Sequence, residues 1–169
     1  MLLELEPYKV SHLPMFYVSF RSEVYTHDII KTRLAKGLKV VVPQTIIGQR
    51  RLIPRLIENW DRDLRTGAYG ILEPDPVRTR QIDPSILDLV VAPGSVFDKR
   101  CGRYGYGGGY YDRFLSEKAP HALRLALCFD LQVMEQIPLK EHDQRMDIIV
   151  TESRIITCND RPLRLQQAS

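Results

Sequence analysis

Apolar residues in this chain gather in short continuous runs, separated by polar stretches that carry proline or glycine. Residues 14–20 (PMFYVSF) are short, aromatic and β-branched, and read as a strand. Residues 26–37 then show helical spacing, with Thr26 at the cap, Asp28 in the first turn, Ile29, Ile30 and Leu34 on one face and Gly37 as the stop. Residues 38–43 (LKVVVP) read as a buried strand. Strand, helix and apolar strand in that order predict a βαβ unit, and so a parallel sheet at this point.

The signals between residues 44 and 83 are weaker. Residues 51–57 (RLIPRLI) read as an edge strand with Pro54 at a non-bonding position, residues 64–69 as a helical turn, and residues 70–76 (GILEPDP) as an extended loop fixed by its prolines. Residues 86–92 (ILDLVVA) form a second continuous apolar strand, and Asp88 inside it needs a partner at the sheet end. Residues 123–129 and 148–151 read as further strands, 131–136 as a helical turn, 154–158 as one more strand, and the sequence after Asn159 as a polar tail. No repeat, low-complexity block or linker breaks this order. At 169 residues the chain is predicted to be one α/β domain over 1–169, with a mostly parallel sheet.

One stretch obeys neither period. Residues 101–113 (CGRYGYGGGYYDR) set five glycines among four tyrosines and end on Asp112 and Arg113. Glycines in such density free the backbone to turn its N–H groups toward something brought very close, the physical basis of anion cradles. Tyr111, Phe114 and Leu115 follow at i, i+3 and i+4, so a helix is predicted to begin near Gly109. Flexible linkers are polar and Gly/Ser-rich, whereas these tyrosine rings must pack or bind. No Gly-Lys-Ser/Thr is present, and Tyr110 stands where a dinucleotide fingerprint wants glycine. The loop lies beyond the strand of residues 86–92, at the sheet end where ligands bind in open α/β folds.

Charge and cysteines narrow the setting. A formal charge of +3 suits anionic small molecules without requiring nucleic acid. Cys101, Cys128 and Cys158 are far apart, with no CxxC and no histidine at zinc spacing, so reduced cysteines are expected. The start, MLLELEPYKV, lacks the pattern of a signal peptide, and no run approaches membrane-spanning length. A cytoplasmic protein without membrane contact is the expectation.

Together with Glu73 and Pro74 upstream, Pro93, Gly94, Phe97 and Asp98 before the loop, and Asp143, Asp147 and Glu152 after it, the segment resembles the 5-formyltetrahydrofolate cyclo-ligases, also called 5,10-methenyltetrahydrofolate synthetases. The similarity runs over residues 16–152 in the family's order and spacing, and the Gly-Tyr-Tyr-Asp ending is its most specific element. It implies a three-layer α/β/α sandwich and an ATP- and magnesium-dependent ligase, acting as a monomer or weak homodimer. In that family ATP phosphorylates the 5-formyl oxygen of folinate, N10 attacks the activated carbon, and phosphate leaves as the ring closes to 5,10-methenyltetrahydrofolate.

Residue by residue, the resemblance implies that Arg103, Tyr104, Gly105, Tyr106, Gly107, Gly108, Gly109, Tyr110 and Tyr111 bind ATP, with Arg103 and the loop amides toward the phosphates. Val18, Glu23, Tyr106, Gly107, Gly108, Gly109 and Tyr110 match positions that hold the folate. Asp112 and Asp147 match magnesium-linked carboxylates, and Arg103, Tyr110 and Asp112 make the expected catalytic set. Read without the family, Asp112 also fits a carboxylate in the first turn of a helix, Asp147 a solvated residue before a strand, Val18 a core residue and Glu23 a surface residue. His12, His27, His121 and His142 form no spacing that points to catalysis.

Family members also begin with a helical segment whose lysine and arginine reach the ATP phosphates. Here Lys9 is the sole Lys or Arg before Arg21 and sits in no such motif, so that helix is expected to be absent and ATP binding weaker. The alternative reading is a non-catalytic nucleotide- or folate-binding relative.

Overall fold

A computed structural model of the protein describes residues 1–67 and 70–158. In chain order the elements are α1 (Glu6–Val10), β1 (Pro14–Phe16), α2 (His27–Ala35), β2 (Val40–Ile46), β3 (Arg51–Ile57), α3 (Trp60–Asp63), β4 (Leu64–Thr66) and β5 (Leu72–Pro74). Then come β6 (Arg80–Gln81), β7 (Leu89–Ala92), β8 (Val96–Asp98), β9 (Arg103–Tyr104), α4 (Tyr110–Arg113), β10 (Leu123–Leu127), β11 (Val133–Met134), β12 (Ile148–Val150) and β13 (Ile155–Thr157). Helix α4 runs on as a π-helical turn, Phe114–Lys118.

Eight strands form one sheet in the order β13-β12-β10-β7-β1-β2-β3-β6. The five in the middle are parallel, with Met15 beside Val41 closing the predicted β1-α2-β2 unit. The flanks are antiparallel, β13 against β12 and β3 and β6 beyond β2. In β2 and β3, Pro43 stands opposite Pro54. A facing pair that lacks both donors costs no ladder bond where the pair is non-hydrogen-bonded, so both prolines fit inside strands.

Continuous apolar runs follow from burial on both faces. Met15, Val41, Val90 and Ala126 point to one face, where Phe97, Phe114 and Leu115 cover them. Their neighbours Phe16, Val40, Val42, Leu89, Val91 and Leu125 point to the other, against Ile30 of α2 and Tyr8 of α1. Layers on both faces of a mostly parallel sheet match the expected architecture, although the helices are few and short.

Several expectations shift. The helical turn predicted over residues 64–69 forms earlier, as α3, because Asn59 accepts the Arg62 amide at 2.8 Å and Asp63 accepts the amides of Glu58 and Asn59 at 2.8 and 2.9 Å. Leu64–Thr66 is instead strand, paired with β5, so part of the expected proline loop is strand as well; Tyr69 lies outside the described residues. The turn expected at 131–136 is a 3-10 turn, Asp130–Gln132, that passes into β11. Thr26 caps no helix through its side chain. Its buried hydroxyl donates to the Tyr17 carbonyl at 2.8 Å, pinning the segment after β1. Asp88 finds its partners just before β7, accepting from Ser11 Oγ and His12 N, both at 2.6 Å, and from Leu13 N. The tail after Asn159 lies outside the described residues.

The cysteine expectation is corrected. Cys101 and Cys158 form a disulfide with their Cα atoms 6.1 Å apart, and Cys128 is a buried free thiol. The two half-cystines are separated by 57 residues in sequence, and only the return of β13 beside β12 brings Cys158 to the turn between β8 and β9. Among the described residues no helix is long and apolar enough to cross a membrane.

Candidate active site

A cavity of about 690 Å³ opens beyond the carboxyl ends of β1 and β7, within the size range of small-molecule sites. Tyr17 and Val18 extend from β1 into one wall, Pro93 follows β7, and Val42 and Pro43 belong to β2. The glycine segment closes the opposite side.

That segment is built on a buried aspartate. Asp98 Oδ1 accepts the amides of Gly102 at 2.7 Å and Arg100 at 3.0 Å, and Oδ2 accepts the Ile137 amide at 3.0 Å. A Cβ on Gly102 would come within 2.9 Å of both carboxylate oxygens, so glycine is required there for the turn itself. Gly107 and Gly109 take φ of 86° and 63°, which lets the chain fold over into α4. Arg113 Nη2 donates to the carbonyls of Gly108 at 2.7 Å and Arg50 at 2.9 Å, clamping the loop from outside.

At the base of the loop Arg103 Nη2 donates to Asp112 Oδ1 at 2.7 Å, and Nη1 donates to the Pro93 carbonyl at 3.1 Å. The guanidinium is almost completely buried. Asp112 Oδ1 also accepts the Gln144 amide at 3.0 Å, while Oδ2 has no hydrogen-bond partner among the described residues. Gln144 is in turn held by Arg124 Nη1 at 3.0 Å, and the Arg124 amide donates to Asp147 Oδ2 at 2.8 Å. Asp112 and Asp147 therefore sit at the two ends of one hydrogen-bonded chain.

Across the cavity, Glu23 accepts the Phe20 amide at 2.8 Å through Oε2, and the Tyr106 hydroxyl lies near enough to act on its charge. Loss of hydration raises the Glu23 carboxyl above its ordinary value, against the opposing pull of the Phe20 amide and the Tyr106 hydroxyl. The Tyr17, Tyr106 and Tyr111 hydroxyls are all pushed upward, first by burial and then by the Glu23 charge. All three stay neutral donors, and Tyr17 uses its proton on the Val24 carbonyl at 2.9 Å.

Of the residues singled out in the sequence, Val18, Glu23, Arg103, Gly105, Tyr106, Gly108, Gly109, Tyr110, Tyr111 and Asp112 line the cavity. Tyr104 and Gly107 face a smaller cleft of about 120 Å³ on the other side of the loop. Asp147 lines neither cavity; its carboxylate is buried at the start of β12. Arg103, expected to reach phosphates, is engaged with Asp112 and Pro93 instead. Sequence reasoning missed Arg21 and Thr45 in the cavity wall, and it saw Glu73 as a motif residue without placing it there. Gln144 gave no signal, because its part is played by a backbone N–H.

The model of the 5-formyltetrahydrofolate cyclo-ligase family matches residues 1–152. The chain belongs to that family. It is 34% identical over 152 residues to the 5-formyltetrahydrofolate cyclo-ligase of Saccharomyces cerevisiae, covering 77% of this chain and 70% of the relative. The Mus musculus enzyme of the same name is 31% identical over 153 residues, covering 86% and 75%. In fold, the NMR structure of Aquifex aeolicus 5,10-methenyltetrahydrofolate synthetase superposes with a TM-score of 0.80 at 27% identity, over 99% of this chain and 80% of that one. The Aquifex aeolicus protein thus shares the fold that places the glycine segment and Asp112 of this chain at the carboxyl end of the sheet.

Proposed function

We propose that the protein converts 5-formyltetrahydrofolate to 5,10-methenyltetrahydrofolate, with ATP converted to ADP and phosphate. The observation that carries this reading, in a member of that family, is a single cavity in which Glu23 lies on one wall and the glycine loop, with Tyr106 and Asp112, on the other. The formyl oxygen takes the γ-phosphoryl group as its bond to ADP breaks; N10 then adds to the formyl carbon and gives up its proton, and the carbon–oxygen bond breaks to release inorganic phosphate carrying the former formyl oxygen.

Each wall has a part in this. Glu23 and the Tyr106 hydroxyl orient the polar edge of the folate, and Val18, Tyr110 and Tyr111 pack its rings. The loop amides from Gly105 to Gly109 receive phosphate oxygens. Arg103 acts through Asp112, fixing Oδ1 so that Oδ2 is presented.

Magnesium fits this donor set. It is usually held by one or two carboxylates together with phosphate oxygens and water, and Asp112 Oδ2 is such a donor, while no group of three or more His, Cys, Asp or Glu gathers among the described residues. Bound there, the ion would neutralise charge on the phosphates. Asp147 supports the same site from a distance, through Arg124 and Gln144. The proposed setting is the cytoplasm, with the chain acting as a monomer or weak homodimer.

Incubation of the purified protein with folinate, ATP and magnesium should yield the methenyl product, read by its ultraviolet absorbance, with one ADP per turnover. Folded protein that binds both substrates and forms no product would sink the proposal.

A further inference from the structure

The glycine loop has two faces, and the second one is unexplained by a folate site. The 120 Å³ cleft lies between Tyr104, Gly105, Gly107 and Gly109 on one side and Lys140, His142 and Asp143 on the other. It is too small for a fused ring system and lies well below the volume of an ordinary ligand pocket, so it can only be a subsite for a small group. Gly105, Gly109 and Asp112 line both this cleft and the 690 Å³ cavity. The two spaces therefore meet at the carboxylate proposed to hold magnesium.

Phosphoryl transfer demands cations around the phosphates, and the arginines of the loop do not supply them. Arg103 is buried on Asp112 and the Pro93 carbonyl. Arg113 is turned to the carbonyls of Gly108 and Arg50. Lys140, by contrast, is exposed, and its ammonium has no carboxylate within ion-pair distance among the described residues. The turn that carries it is well fixed. Asp143 Oδ2 accepts the Lys140 amide at 2.7 Å, the Asp143 amide returns to the Lys140 carbonyl at 3.1 Å, and the next residue, Gln144, anchors the turn to Asp112. Asp143 is thus engaged in shaping the turn, with its other oxygen 3.7 Å from His142 Nε2.

We infer that Lys140 and His142 form the outer wall of the triphosphate site, binding ATP phosphate oxygens across the cleft from the Gly105–Gly109 amides. This rests on the cyclo-ligase reading and adds to it a division of labour. Folate occupies the large cavity, the phosphate chain enters through the small cleft, and the transferred group passes between them beside Asp112. Lys140 contributes a mobile point charge and His142 a ring N–H donor.

Calorimetric titration of a non-hydrolysable ATP analogue, with magnesium and saturating folinate, tests the inference on wild type and on Lys140→Met, Lys140→Arg and His142→Gln. Losing a charge contact to phosphate should raise the Kd for the analogue about tenfold or more in Lys140→Met, and less in His142→Gln, with partial recovery in Lys140→Arg. The Kd for folinate should stay within about twofold of wild type, since neither side chain reaches the large cavity. An unchanged analogue Kd in a Lys140→Met/His142→Gln double variant overturns the inference while leaving the cyclo-ligase reading intact. Equal weakening of folinate and analogue overturns it too, by marking a structural role for the turn. A wild-type chain that binds folinate but no analogue overturns both.

Discussion

Arg103 and Asp112 are joined at 2.7 Å by an ion pair whose guanidinium is sealed from solvent, so the loop's principal cation faces inward. A buried pair of this kind contributes little net stability but fixes geometry, and removing one partner strands the other. Asp112→Asn keeps an oxygen for Arg103 and the Gln144 amide while removing the charge offered to magnesium. It should lower kcat by about a hundredfold or more, and lower the Tm as well, because the buried guanidinium keeps an acceptor but loses its counter-charge. Arg103→Met strands the carboxylate and should destabilise by about 3 kcal/mol, read by urea melts. Wild-type turnover in Asp112→Asn would remove that residue from the metal site.

Glu23 makes stability depend on pH in a definite direction. Burial raises its carboxyl above the ordinary 4.5, so the folded state holds that proton more readily than the unfolded chain. The resulting stability is fully present below pH 4.5 and is lost as pH rises through the folded value. Glu23→Gln should therefore be more stable than wild type at pH 7, with the difference closing as pH falls below 4.5, and should bind folinate more weakly. Thermal melts across pH check the first point. A variant less stable than wild type at pH 7 would contradict it.

Gly102 and Gly107 separate two reasons for glycine in one loop. Gly102→Ala drives a Cβ to 2.9 Å from the Asp98 oxygens, which hold three backbone amides, and should cost about 2 kcal/mol or more and disturb both ligands. Gly107→Ala meets nothing within 4 Å and bears only the strain of φ 86°, about 1 kcal/mol. Equal losses of Tm in the two variants would refute this distinction.

The Cys101–Cys158 bond closes a loop across 57 residues, and the chain-entropy contribution for that length is about 4 kcal/mol. Reductant should lower the Tm of wild type and leave Cys158→Ser unmoved. The buried Cys128 thiol, whose pKa is pushed to about 12 chiefly by burial, should resist alkylation in the folded protein. A wild-type Tm indifferent to reductant would show the bond contributes nothing.

Much of the sheet was legible because its signals are local. A run such as residues 89–92 is apolar at every position, since both faces of a parallel strand are covered, and β3 kept its predicted bounds, although it lies between β2 and β6 and not at the expected edge. The turn near residue 64 was misread because Asp63, a residue with strong surface preference, is buried and sets the register through two amides.

The chemistry divides along the same line. Residue identity by itself determined the glycine loop, its tyrosines and Asp112, because φ freedom, ring size and charge are properties of single residues and of their immediate spacing. Which way those groups face was decided by tertiary structure. Arg103 turns inward because Pro93 and Asp112 meet it there, Asp147 lies in the interior behind Arg124, and Lys140 reaches the loop only because the Gln144 amide ties its turn to Asp112. Such contacts join residues tens of positions apart, often through backbone atoms that every residue shares, and so leave no mark in the sequence.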